Sequence, residues 1–209
     1  MDLSTWLAFS AASIALLLIP GPTVLLVLSY ALSQGRRTAL SVAAGVALGD
    51  FAAMTASLLG LGAVVLASAT AFVALKWIGA VYLVWLGVRL IRDAGSTQLG
   101  PATDPRTATA RSAFVNAASV TALNPKSIVF LIAFVPQFVR PDTALAPQFV
   151  ILIGTFVGLA AANALAHALL ADRLRARIAR PAVLAWLARA GGGALIAMGV
   201  ATAAARRAA

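Results

Sequence analysis

Long apolar segments alternate with short polar ones along the whole chain. About 20 mostly apolar residues are enough to cross the hydrocarbon core of a bilayer, and six segments reach that length. They cover about 5–33, 39–67, 72–91, 113–138, 147–171 and 182–204. The pattern predicts an all-α polytopic membrane protein with six transmembrane helices. A variant with five full spans and one re-entrant segment fits the same pattern.

Two of these segments are interrupted by proline at matching places. The breaks contain Pro20-Gly21-Pro22 in the first segment and Asn124-Pro125-Lys126 in the fourth. Proline removes a backbone donor and clashes with the preceding turn. Non-helical backbone at membrane depth is tolerated only where protein or a water-filled cavity satisfies it. The breaks therefore indicate a pathway through the membrane, the alternative being two kinks that only shape helices.

Glycine pairs suggest that the chain is an internal repeat. Segments two and five each carry glycines four residues apart, and segments three and six each carry glycines eight apart. These pairs are Gly45 and Gly49, Gly154 and Gly158, Gly79 and Gly87, and Gly191 and Gly199. Small residues at such spacing are also ordinary helix-packing contacts.

Three segments per half is an odd number, so the halves would insert in opposite directions, as in inverted-repeat transporters. The predicted organisation is a single membrane domain over 1–209. It consists of a first three-helix repeat over 1–92, a cytoplasmic linker over 93–112, and a second repeat over 113–209.

Composition and charge agree with a membrane location and set the topology. The 209 residues are 62% hydrophobic and only 11% charged, whereas soluble domains are about a quarter charged. The net charge of +10 comes from arginines in short loops, which favours topology over nucleic-acid binding. Their alternation predicts an external amino terminus and a cytoplasmic linker, although Arg206 and Arg207 count against it.

Few residues inside the segments can carry chemistry. Asp50 is the one acidic residue well inside a segment, and a carboxylate there can take up and release a proton or pair with a cation such as Lys126. Lys126 and Asn124 at the second break could instead bind a ligand. His167 is a weaker candidate for proton transfer, and Arg189 for meeting an anion. No cysteine is present, so thiol chemistry is excluded, and we expect no metal and no cofactor.

These motifs together resemble the lysine exporter (LysE/RhtB) family of amino-acid efflux permeases. The resemblance covers almost the whole chain and is carried by Pro20-Gly21-Pro22, Gly45 to Gly49-Asp50, Lys76-x-x-Gly79-Ala80-x-Tyr82-Leu83 with Gly87, and Asn124-Pro125-Lys126. It implies a bacterial inner-membrane exporter of amino acids driven by the proton gradient. Many members carry asparagine after Pro-Gly-Pro, where this chain has Thr23, so the substrate contact at Thr23 departs from the family pattern.

The leading hypothesis is therefore a secondary exporter of amino acids or related small polar metabolites, operating by proton antiport. The translocation path would include both breaks with Thr23, and Asp50 would couple the proton. The alternative is a non-transporting accessory membrane subunit. An enzyme is not expected, because no hydrolase, nucleotide-binding or zinc motif is present. Expected partners are a small-molecule substrate and lipid, with no nucleic acid, and a homodimer is left open.

Overall fold

A computed structural model of the chain describes residues 1–19, 21–34, 36–67, 69–95, 109–140, 143–178 and 181–204. The described part is helical and contains no strand, which confirms the all-α prediction. Its α-helices are α1 (Leu3–Leu18), α2 (Pro22–Gln34), α3 (Arg36–Ala67), α4 (Ala69–Arg92), α5 (Ala110–Ala122), α6 (Pro125–Ala133), α7 (Leu145–Ile178) and α8 (Pro181–Ala204), with short 3-10 turns at Asp93–Gly95 and Val135–Phe138.

Three described helices are long and apolar enough to cross a membrane. They contain the stretches Arg37–Gly60, Leu145–Ala171 and Ala185–Ala204. Two further spans arise if the bent pairs α1–α2 (59°) and α5–α6 (44°) each count as one. Helix α4 covers the third predicted segment, but it is not among these candidates. Within the part of the chain that the structure describes, the candidate spans therefore number three to five, and the prediction of exactly six is not confirmed.

Both predicted breaks are breaks between helices. Ile19 leaves the helical region after α1 with φ −67° and ψ 119°, and Pro22 then begins α2. At the second break Asn124 is extended, its side chain accepts from the Lys126 N–H at 3.1 Å, and Pro125 begins α6. Proline suits a first helical position, where no N–H partner is needed. Pro20 lies outside the described residues.

Helices α3 and α5 are in close contact because two glycines of α3 face the backbone of α5. A Cβ added to Gly45 would stand 2.3 Å from the Phe114 carbonyl oxygen, and one added to Gly49 would stand 2.5 Å from that of Ala118. Any side chain larger than hydrogen would push the helices apart. This packing fixes the position of Asp50, which follows Gly49.

Helices α4 and α8 pack in the same way and run antiparallel. A Cβ on Gly87 would stand 2.5 Å from the Gly192 carbonyl oxygen, and one on Gly199 would stand 2.8 Å from that of Ala80. The two contacts are seven residues apart in each helix, in opposite chain directions. Gly79, another of the predicted packing glycines, is also buried in α4.

Two other predicted packing glycines do not contact a neighbouring helix in the described structure. Gly154 and Gly158 are exposed on α7, and a Cβ added at either meets no atom within 4 Å. The face of α7 that packs inward is instead built from Leu152, Phe156 and Ala160. The spacing of the two glycines resembled that of Gly45 and Gly49, but spacing does not determine which side of a helix faces the core.

Two hydrophobic clusters lie one after the other along α3 and α7. One cluster includes Met54 and Leu58 of α3 and Phe156 of α7, and the other includes Val42 and Ala168. Asp50 and Ala160 fall between the clusters in both helices. The polar residues described next therefore lie in a layer enclosed by apolar side chains on two sides.

Candidate functional site

The two helix breaks meet in the folded chain. The Asn124 Nδ2 donates a hydrogen bond to the Thr23 Oγ1 at 3.3 Å, and the Thr23 Oγ1 lies 3.4 Å from the Thr121 Oγ1. Asn124 and Thr121 are buried. Residues about a hundred positions apart in the chain are thus joined at one point. Thr121 was not among the residues predicted from the sequence.

Lys126 holds the broken end of α1. Its Nζ donates to the carbonyl oxygens of Leu16 at 3.1 Å and of Ile19 at 3.0 Å. The Leu16 carbonyl oxygen also accepts from the Ile19 N–H at 3.2 Å. Carbonyl groups in the last turn of a helix carry partial negative charge, so an ammonium group is favoured at this position. Gly21 leaves the space for it, because a Cβ there would stand 3.3 Å from the Lys126 Nζ.

A third carbonyl at the same helix end is held from α7. The Asn163 Nδ2 donates to the Leu17 carbonyl oxygen at 3.2 Å. The Asn163 carbonyl oxygen is in turn 2.8 Å from the His167 Nδ1. Because a carbonyl oxygen only accepts, the His167 Nδ1 carries a hydrogen. Asn163 was not among the predicted residues, although a polar pair four apart in an apolar segment signals it.

Asp50 reaches the same place from α3. Asp50 is only 2% exposed, and it lines one cavity together with Lys126 and His167. Asp50 makes no hydrogen bond with any described residue. The ion pairs of the described structure are those of Arg89 with Asp93 and of Arg140 with Asp2, so Asp50 is in neither. Asp50 and Lys126 are therefore neighbours around a cavity rather than a direct pair. A buried carboxylate without a hydrogen bond is available to a proton or to a cationic group.

The cavity between these residues is small in this conformation. Its volume is about 30 Å³, enough for a water molecule or two and too little for an amino acid. Its polar groups are Asp50, Thr23, Asn124, Lys126, Ser127, Asn163 and His167, and the rest of its lining is apolar or glycine. Negative and positive groups thus surround one small space, an arrangement suited to a small molecule carrying both charges.

The remaining candidates lie away from the cavity. Arg189 is exposed on α8 and does not line it. Pro22 and Pro125 begin α2 and α6 and shape the breaks without lining the cavity. The described residues contain no group of three His, Cys, Asp or Glu able to hold a metal ion.

The chain is similar to known proteins over nearly its whole length. Residues 14–206 match the family model described as LysE type translocator. The chain is 34% identical over 208 residues to a homoserine/homoserine lactone efflux protein of Salmonella typhimurium, with 100% of both chains covered. It is 36% identical over 191 residues to a membrane protein of Vibrio cholerae, covering 88% of this chain and 89% of the relative. A leucine efflux protein of Klebsiella pneumoniae is 28% identical over 134 residues, covering 64% of this chain and 63% of the relative. No solved structure matches the chain.

Proposed function

Because the chain belongs to the LysE type translocator family of membrane transporters, we propose that it exports amino acids or closely related small metabolites across the bacterial inner membrane by proton antiport. One observation carries the proposal. The two helix breaks, the buried Asp50 and the Lys126 ammonium surround one cavity between two apolar clusters. Broken helices around a polar site are the arrangement by which many secondary transporters bind substrate.

The substrate is bound through its two charged groups. The ammonium group of an amino acid pairs with the Asp50 carboxylate, which has no hydrogen-bonding partner among the described residues. The carboxylate of the substrate lies toward Lys126 and Asn124 at the start of α6, where the partial positive charge of a helix amino terminus favours an anion. The apolar lining, including Val24, Val27 and Val46, suits a side chain without charge. Relatives named for homoserine and leucine efflux support that class.

Proton coupling follows from competition for one carboxylate. Asp50 holds either a proton or the substrate ammonium, so release of substrate on one side is linked to uptake of a proton there. The apolar clusters lie on either side of the polar layer and limit the access of water to it. The cavity of about 30 Å³ is too small for an amino acid, so the substrate-bound state requires the helices to separate.

The alternation of access is attributed to an inverted repeat. Under that repeat α4 corresponds to α8 and Gly87 to Gly199, and each of these glycines packs against the backbone of the other helix. Halves related in this way would allow two states of equal architecture and opposite opening.

Uptake of a panel of labelled amino acids into energised inverted vesicles tests the proposal. Vesicles that contain the protein should accumulate a neutral amino acid or its derivative without ATP, since the chain has no nucleotide-binding loop. An uncoupler should abolish accumulation, and vesicles without the protein set the background. Accumulation that persists after the proton gradient collapses would exclude proton antiport. Absence of transport for every amino acid and derivative tested would favour an accessory subunit.

A further inference from the structure

The end of α1 has the features of a site for a monovalent cation. The carbonyl oxygens of Leu16 and Ile19 converge on one position, 3.1 and 3.0 Å from the Lys126 Nζ. The Asp50 carboxylate lines the adjoining cavity. Carbonyl groups at the carboxyl ends of broken helices, with a nearby acid, are the ligands that coupling cations use in secondary transporters.

We propose that the Lys126 ammonium is a built-in cation that permanently fills this site in place of a free ion. The inference rests on the proposed transport function and specifies how its site is completed. Lysine supplies three N–H donors, two of which the Leu16 and Ile19 carbonyls accept. The Lys126 side chain passes over Gly21, which has no side chain and so leaves space for it. Because the cation is covalently attached, it is present in every step of the cycle and cannot be exchanged with solvent.

The position of the lysine in its helix supports this role. Lys126 is the second residue of α6, as Thr23 is the second residue of α2. Each reaches across to the opposite break, Thr23 to Thr121 and Lys126 to Leu16 and Ile19. The threonine makes a neutral contact of a hydroxyl with a hydroxyl. The lysine instead places a positive charge at the carboxyl end of α1. The contact between Lys126 and α1 therefore requires a cation, whereas the contact between the two threonines does not.

The inference predicts that removing the lysine side chain creates a site for a free ammonium ion. In Lys126→Ala the missing atoms correspond to propylammonium, a primary amine with the same donors. Purified Lys126→Ala should gain roughly 3–6 °C in Tm at ten times the dissociation constant of propylammonium. Tetramethylammonium, a cation without N–H donors, and 1-propanol, a neutral molecule of similar size, should give no gain. The wild-type protein should respond to none of the three.

A second variant guards against loss of folding. Lys126→Thr copies the residue found at the equivalent position of α2. It should also be stabilised by propylammonium, but less than Lys126→Ala, because the threonine γ atoms occupy part of the space that the lysine side chain leaves. Equal responses of both variants to propylammonium and tetramethylammonium would overturn the inference. So would failure of both variants to fold when produced with propylammonium present.

Transport measured on the same preparations separates this inference from the proposed function. If both hold, propylammonium restores export by Lys126→Ala at least tenfold. If the wild-type protein exports an amino acid and propylammonium neither stabilises nor rescues the variants, the built-in cation alone is wrong. If propylammonium stabilises the variants and the wild-type protein exports nothing, the proposed function is wrong and the cation site stands.

Discussion

Asn124 donates a hydrogen bond to Thr23 across 3.3 Å, and this contact joins two interruptions of the chain that are 101 residues apart. Each interruption ends one helix and begins another with proline. The two residues therefore place the free ends of four helices around one point. Lys126 and Asn163 then satisfy the carbonyl groups at the end of α1. The backbone carbonyl groups at the first break are therefore bound by side chains from the opposite half of the molecule.

The glycine contacts predict a graded series of substitutions. Gly45→Ala and Gly49→Ala should lower stability by about 1–3 kcal/mol or more, because the new methyl group would overlap the α5 backbone at 2.3 and 2.5 Å. Gly158→Ala is the matched control on α7, where the methyl group meets nothing within 4 Å. Thermal unfolding of the purified proteins measures the difference. Equal destabilisation by all three substitutions would show that the packing of α3 on α5 is not what the glycines provide.

The topology predicts which side each loop occupies. Reporter fusions within 93–112 should show a cytoplasmic location, since the arginine alternation places that linker inside. The ion pair between Asp2 and Arg140 fits this topology, because the amino terminus and the segment before α7 both fall on the outer side. Fusions near Arg140 should therefore report the periplasm. A periplasmic linker would contradict the topology.

Asp2 predicts a pH-dependent contribution to stability at the amino terminus. Hydrogen bonds from Thr5, with smaller contributions from Ser4 and Arg140, hold the pKa of the Asp2 carboxyl well below its usual range. A carboxyl whose pKa is lowered by folding stabilises the protein above its unfolded pKa, near 3.9, and loses that contribution as pH falls through its folded pKa. Asp2→Asn should therefore have a lower Tm than wild type at pH 7, and the gap should shrink below about pH 4.

The effect should be modest, because the pair of Asp2 with Arg140 is on the surface. Arg140→Gln keeps the Thr5 and Ser4 hydrogen bonds and should reproduce only part of the loss. A Tm difference between Asp2→Asn and wild type that stays constant down to pH 3 would contradict the assignment.

Sequence reasoning located the breaks, and it did so for a physical reason. Proline within an apolar segment leaves few alternatives to a helix end, and Asp50 is conspicuous because charge is rare inside a membrane. The partner of Lys126 was not predictable, because the pattern suggested Asp50 or a ligand and the backbone carbonyls of Leu16 and Ile19 leave no trace in the side-chain sequence. Asn163 was missed although it forms a polar pair with His167 in an apolar segment, and its partner, the Leu17 carbonyl, was not predictable. The outward orientation of Gly154 and Gly158 depends on the rotation of α7, which spacing does not encode.

Proton-coupled export through Asp50 is the central claim, and one measurement tests it most directly. Purified wild-type protein and Asp50→Asn are reconstituted into liposomes preloaded with the exported amino acid, a pH gradient is imposed, and efflux and proton movement are recorded together. Asp93→Asn is the control, because Asp93 is an exposed aspartate paired with Arg89 away from the cavity. We predict that wild type and Asp93→Asn export substrate as protons move the opposite way. Asp50→Asn, folded as well as wild type, should export substrate and move protons at least tenfold more slowly than wild type. Wild-type rates of export and proton movement in Asp50→Asn would contradict the claim.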